Sequence, residues 1–288
     1  LFFDKVVIVG VGLLGGSIGL ALKSGKMCGT IAGVGRGRAS IEAALEIGAI
    51  DEVFDDLSDA AAGADLIVVC TPVGSVAGAI AEMESRIDDD CVITDVGSTK
   101  LEIVRAVELI PRAGTRFVGS HPMAGSEKKG ARHASADLFA GAKVIVTPGD
   151  RTDPDVSGAV MSMWESFGSE VVVLDPETHD RIVARTSHLP HIAAALLVAN
   201  LRALDEEHCG LVAGGFLDTT RVASSDPEMW ADICLNNVEG IREAIVDLQS
   251  DLGEIDTYLD EGDYEQVFAF FESMKFSRDS FNDESPNG

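Results

Sequence analysis

The sequence predicts an α/β N-terminal domain, an open and mostly parallel sheet with helices on both faces, followed by an all-helical C-terminal domain. Two observations point there. As far as Leu174, short β-branched apolar runs alternate with helical stretches, the pattern of strands covered on both faces by crossover helices. After Asp175 no strand-like run follows. The length, 288 residues, is enough for two such domains. The expected division is 1–174 and 175–276, with a polar, acidic and disordered tail over 277–288.

The strands expected in order are Val6–Val9, Thr30–Val34, Leu66–Cys70, Cys91–Asp95, Phe117–Gly119, Lys143–Thr147 and Glu170–Leu174. Ser40–Ile47 and Leu101–Leu109 carry helical spacing between them. In the second part, Asp175-Pro176 and Asp226-Pro227 each combine a capping carboxylate with a first-turn proline. Ile192–Leu204 is apolar almost all round and should be a buried helix. From Asp226 one long helix is expected, with an apolar stripe at Ile233, Val238, Ile241, Ile245, Leu248, Leu252, Ile255 and Leu259. A last helix carries Tyr264, Val267, Phe268, Phe271 and Met274. Helices this apolar need more cover than one small domain supplies, so a homodimer through them is expected.

Composition narrows the function. A 46% hydrophobic and 24% charged chain is ordinary for a soluble globular protein. The net charge of −26 excludes the basic face that nucleic-acid binding needs. Spread along the chain, that acidity reads first as a solvated surface; adaptation to a salty interior is the alternative, which a stability that rises between low and molar salt would support. No apolar run reaches the roughly 20 residues that span a bilayer, so no membrane partner is expected. The five cysteines form no Cys-x-x-Cys pair, and the first strand starts too early for a signal peptide; reduced thiols in the cytoplasm are expected. An anionic ligand would need local arginines against this overall charge.

Gly10-Val11-Gly12-Leu13-Leu14-Gly15 stands between a strand and an apolar helix. In that context Gly10, Gly12 and Gly15, with the backbone of Leu13 and Leu14, form the pyrophosphate turn of a Rossmann-type domain at a helix N-terminus. At the end of the second strand Gly35 occupies the place of the acid that holds an NAD ribose, and Arg36 and Arg38 follow. Guanidinium groups suit a 2′-phosphate, so NADP is preferred and NAD is possible. Thr71 and Pro72 follow the next strand and should line the cofactor. Ser98 should lie near the nicotinamide and cap a helix beginning at Thr99. His121, followed by a proline at a strand end, is placed for proton transfer near neutral pH, with Ser126 and Glu127 close in sequence. His188 and His191 lie three apart on one helix face, but no carboxylate or cysteine completes a metal site. Trp230 packs either near the site or in a domain core, and His133, His179 and His208 read as surface residues.

Five segments together resemble the prephenate dehydrogenase family, which includes arogenate and cyclohexadienyl dehydrogenases of tyrosine biosynthesis. They are Gly10–Gly15, Asp95–Lys100, Gly119–Glu127, His188–His191, and Gly214–Arg221 with Asp226–Trp230. The resemblance implies a nucleotide-binding domain with a helical dimerisation domain, and oxidative decarboxylation of prephenate with hydride transfer to NADP or NAD. It implies that His121 is the catalytic base, that Ser98 orients the substrate hydroxyl and His121, and that Arg221 binds a substrate carboxylate. Ser126, Glu127 and His191 would line the substrate pocket, with Glu127 shaping or gating its entrance. Gly35 departs from the acid of NAD-dependent members. Neither a fused mutase before Lys5 nor a regulatory domain after Met274 is expected, so the enzyme would be monofunctional, with any tyrosine feedback acting at the active site. Arogenate is the alternative substrate. A β-hydroxyacid dehydrogenase is a rival, but it needs a lysine in the second domain, and after Lys143 only Lys275 remains. A non-enzymatic NADP sensor is the other, and it needs no His121 chemistry.

Overall fold

The computed structural model describes residues 1–35, 37–125 and 128–283. Eight strands form one sheet in the order β3-β2-β1-β4-β5-β6-β7-β8. They are β1 (Phe3–Val9), β2 (Cys28–Val34), β3 (Glu52–Phe54), β4 (Leu66–Val69), β5 (Val92–Asp95), β6 (Phe117–Pro122), β7 (Lys143–Thr147) and β8 (Glu170–Val173). β1 to β6 pair in parallel, β7 is antiparallel to β6, and β8 is parallel to β7. Six helices accompany them: α1 (Leu13–Ser24), α2 (Arg38–Glu46), α3 (Leu57–Ala61), α4 (Val76–Met83), α5 (Leu101–Glu108) and α6 (Pro154–Ser166).

Seven of the strands are the expected apolar runs. β3 is the addition: it has three residues, two of them exposed, so it leaves no apolar signature. The central strands explain themselves by alternation. Val6 and Ile8 of β1 join Ile18, Leu22 and Trp164 in one buried cluster, whereas Val7 and Val9 join Ile67, Ile80 and Val104 in another. Each such side chain gains about 1.5–3 kcal/mol on burial. A one-residue slip would exchange the two faces, so the register is firmly set.

Beyond the sheet come α7 (Pro176–Val183), a π-helical stretch Ala184–His188, α8 (Leu189–Asn200), α9 (Glu206–Cys209), α10 (Gly214–Thr220), α11 (Pro227–Asn236), α12 (Val238–Glu261) and α13 (Tyr264–Asp283). Asp175 and Asp226 cap their helices as read from the sequence, accepting from the Thr178 and Met229 amides at 2.9 and 3.0 Å. By compactness the chain divides into Leu1–Val238 and a second unit from Glu239. The change from strands to helices at 174/175 therefore falls inside the first unit, because α7 and α11 are hydrogen-bonded to the sheet's loops.

Four expectations are corrected. The long helix from Asp226 breaks at Asn237, which leaves helical geometry and spends its side chain on the Asp180 carbonyl and on His188. Ile192–Leu204 is not buried within the chain. Leu196 is 61% exposed, Leu197 and Val198 are exposed beside it, and Ala194 is the buried residue of α8. The run Pro176–Ala203 is, by length and composition, apolar enough to cross a membrane, which the scattered charges near its start conceal in the sequence. The disordered tail expected from Ser277 is instead helical to Asp283, where a Lys275–Asp279 pair one turn apart supports the helix; residues 284–288 lie outside the described residues.

Candidate active site

β1, β4, β5 and β6 are parallel, so their C-terminal ends share one edge of the sheet. Gly10 follows β1, Thr71 follows β4, Ser98 follows β5, and His121 is the penultimate residue of β6. The strand order reverses between β1 and β4, and a cleft of about 930 Å³ opens there. Gly10, Gly12, Gly35, Thr71, Pro72 and Asp55 contribute to its walls.

The glycine turn is tight for a visible reason. Gly10 has a φ of +95°, and a Cβ there would lie 2.6 Å from the Cys70 carbonyl oxygen. A Cβ on Gly15 would lie 2.3 Å from the Gly10 oxygen. At Gly12, by contrast, a Cβ would meet nothing within 4 Å, so the start of α1 faces open space. Thr71 Oγ1 is buried with no hydrogen-bond partner among the described residues. An open helix N-terminus and an orphaned hydroxyl in one elongated cleft fit a dinucleotide. Leu13 and Leu14 do not line the cleft, and Leu14 packs on the core instead. Arg38 opens α2 and pairs with Glu42 at 3.0 Å on the surface. Arg36 lies outside the described residues.

His121 is 9% exposed, and a cluster of buried polar groups surrounds it. Its Nδ1 lies 2.9 Å from Nε2 of His179, whose Nδ1 lies 2.7 Å from Asp180 Oδ1. Asp180 also accepts the backbone amides of Lys100 and Leu101 at 2.7 and 3.0 Å. It thereby caps α5, a helix with no side-chain cap of its own. That corrects the role expected of Ser98: the helix begins at Leu101, and the capping carboxylate comes from α7. Lys100 is fully buried, paired with Asp95 and donating to the Ser120 carbonyl at 3.1 Å. Burial holds the His121 imidazole well below its usual 6.5, and the neighbouring His179, Lys100 and His188 push the same way. Burial lowers His179 as well, against the pull of Asp180, and brings His188 to about 4. These three rings are therefore neutral at pH 7.

His188, in the π-helical stretch, receives a hydrogen bond from Asn237 Nδ2 at 3.2 Å and meets Trp230 edge-on at 6.0 Å. Trp230 stacks on His191 at 3.6 Å, and its indole Nε1 is buried without a partner among the described residues. Arg221 is exposed and close enough to His191 to lower its pKa, second to burial and against the Ser187 carbonyl. Ring contacts thus join His188, Trp230 and His191, with Arg221 near enough to His191, and His188 near enough to His121, to act on their charge. Ser98 is half-buried at the same sheet edge. Ser126 and Glu127 lie outside the described residues. His179 is the main correction. Read as a surface residue, it is fully buried, because α7 turns its first face onto the N-terminus of α5. A His-Asp pair in the second turn after a proline-started helix was the available signal.

A dinucleotide cleft sharing its sheet edge with a buried neutral histidine defines a nicotinamide-dependent dehydrogenase. Residues 18–173 match the family model for the prephenate dehydrogenase nucleotide-binding domain, and 175–276 match that for the prephenate dehydrogenase dimerization domain. Prephenate dehydrogenase from Bacillus subtilis (strain 168) is 36% identical over 283 residues, which is 96% of this chain and 76% of that protein. The crystal structure of A. aeolicus prephenate dehydrogenase in complex with hydroxyphenyl propionate and NAD+ superposes with a TM-score of 0.92 at 34% identity, covering 98% of this chain and 99% of that one. Synechocystis arogenate dehydrogenase superposes with a TM-score of 0.84 at 27% identity, covering 96% and 99%. The chain belongs to the prephenate dehydrogenase family.

Proposed function

We propose that this protein oxidatively decarboxylates prephenate to 4-hydroxyphenylpyruvate, with His121 as the base. The observation that carries this reading is a buried neutral imidazole on the sheet edge that also holds the glycine turn. Prephenate is a cyclohexadienol bearing a ring carboxylate and a pyruvyl side chain. His121 takes the proton of the ring hydroxyl while hydride leaves the carbon that bears it. The bond from ring to carboxylate breaks, carbon dioxide departs, its electron pair completes the aromatic ring, and the phenolate oxygen takes the proton back from His121 to give the phenol. A nicotinamide, when bound, supplies the hydride acceptor. Proton transfer of this kind is worth roughly 10²–10⁴ in rate.

Ser98 orients the hydroxyl and His121 from the end of β5. Arg221 holds a carboxylate, for which a planar guanidinium is well shaped. His191, with Ser126 and Glu127, completes the substrate pocket, and the stack on Trp230 fixes the His191 ring. The cofactor is NADP in preference to NAD. Gly35 presents no carboxylate to the 2′ position, and the exposed Arg38–Glu42 pair is weak enough for Arg38 to turn to a phosphate. The working form is a homodimer, in keeping with the exposed apolar face of α8 and with the name of the second domain family.

The test is formation of reduced nicotinamide by the purified protein, with prephenate and arogenate each crossed with NADP and NAD. Fastest turnover with prephenate and NADP is expected. Arogenate as the faster substrate would reassign the side-chain preference, and silence in all four combinations would overturn the reaction.

A further inference from the structure

His121 and His179 form a buried contact, and only one of the two rings is used in the chemistry above. The contact's hydrogen positions follow from its far end. Asp180 accepts the Lys100 and Leu101 amides and lies 2.7 Å from His179 Nδ1. A carboxylate has no proton to give, so His179 Nδ1 carries the hydrogen of that bond. A neutral imidazole has one N–H, which leaves His179 Nε2 as an acceptor. The group 2.9 Å away is His121 Nδ1, which must then donate. His121 has spent its one hydrogen, and its Nε2 carries a free lone pair. The opposite tautomer would set two lone pairs against each other at 2.9 Å.

We propose that His179 and Asp180 are positioning residues that hold His121 in its Nδ1–H tautomer, so that Nε2 receives the substrate proton. The proposal rests on the assignment of His121 as the base. The relay is anchored at its far end. Asp180 is fixed by two amides of α5, and Asn237 Nδ2 donates to its carbonyl at 2.8 Å. It also has a use during the reaction. When Nε2 takes the hydroxyl proton, the new positive charge lies on a ring already donating to His179, and the chain ends on the Asp180 carboxylate. The charged and titratable groups around the contact are Lys100 with its partner Asp95, His188, and Asp180 itself. His179, Lys100 and His188 oppose a charge on His121, and Asp180, bonded to the far side of the His179 ring, is the carboxylate on which the chain ends.

The test combines a spectroscopic readout with two substitutions. In ¹⁵N-histidine-labelled enzyme at pH 8, His121, assigned by its loss in His121→Asn, should show a protonated Nδ1 and a bare Nε2. A hydrogen on Nε2 overturns the proposal. His179→Met keeps the volume and removes the acceptor; His179→Gln offers an amide oxygen in its place. The Met variant should lose at least about 100-fold in kcat, with KM changed less than about threefold, and the Gln variant should recover at least about tenfold of that loss. Equal losses that track thermal stability would mark His179 as packing alone and overturn the proposal. If the Met variant does not fold, the His121 signature in His179→Gln decides, with retention of Nδ1–H expected. The NMR readout needs no substrate. An enzyme that turned over neither prephenate nor arogenate would sink the reaction and still leave the tautomer measurable.

Discussion

The cofactor cleft and the histidine cluster share one sheet edge but are made of different material. The cleft is framed mainly by backbone, a glycine turn, a helix N-terminus and the ends of β1 and β4, with the Thr71 hydroxyl in its wall. The cluster is side chains drawn from β6, α7, the π-helical stretch and the break between α11 and α12. A site made of backbone is fixed once the strands take their register. A site made of side chains depends on buried polar groups satisfying one another, and one missing partner leaves the rest unpaired. The two regions should therefore fail separately and in different observables.

The largest effect belongs to the cluster. His121→Asn should lower kcat by about 10²–10⁴ in steady-state assays with prephenate. Arg221→Ala comes next and should act on substrate binding: loss of a charge-assisted bond raises KM by about 10–100-fold and changes kcat little. Gly10→Ala addresses the cleft. At a φ of +95°, with the Cys70 carbonyl 2.6 Å from the new methyl group, it should cost about 1–3 kcal/mol in denaturant unfolding and weaken cofactor binding. At saturating cofactor its kcat should return close to that of the parent.

The smallest effect is a pH dependence that separates the regions without mutation. His121, His179 and His188 are held below the 6.5 of a free histidine, so the unfolded chain binds protons first. Their contribution to stability is complete above pH 6.5 and is lost as pH falls below it, reaching its end for His188 near pH 4. Thermal melts should shift down over that window, and less so in His188→Gln. Activity should persist below pH 6.5, because His121 stays neutral there in the folded protein.

The same contrast explains what the sequence revealed. The cleft was legible because its parts are contiguous: Gly10 to Gly15 follow a strand, and Thr71-Pro72 follow another. Six strands were legible because they are largely buried and apolar, and β8 because of its valine run although both its ends are exposed, whereas β3, short and exposed, was not. His179 and Asp180 were invisible because their partners, His121 and Lys100, lie 58 and 80 residues away. The helix break was hidden for the same reason: Asn237 leaves α-helical geometry to reach Asp180 and His188, and the apolar spacing runs on across it. The exposed apolar face of α8 shows the reverse limit, since periodicity reports that a face needs cover and says nothing of whether the same chain supplies it.

The most direct test of separable regions is the dissociation constant for NADP, measured by fluorescence titration, in His121→Asn beside Gly10→Ala. Separability requires that His121→Asn bind the cofactor within about twofold of the parent despite its loss of turnover, and that Gly10→Ala bind it about tenfold more weakly. Loss of cofactor affinity in His121→Asn in proportion to its loss of rate would contradict it.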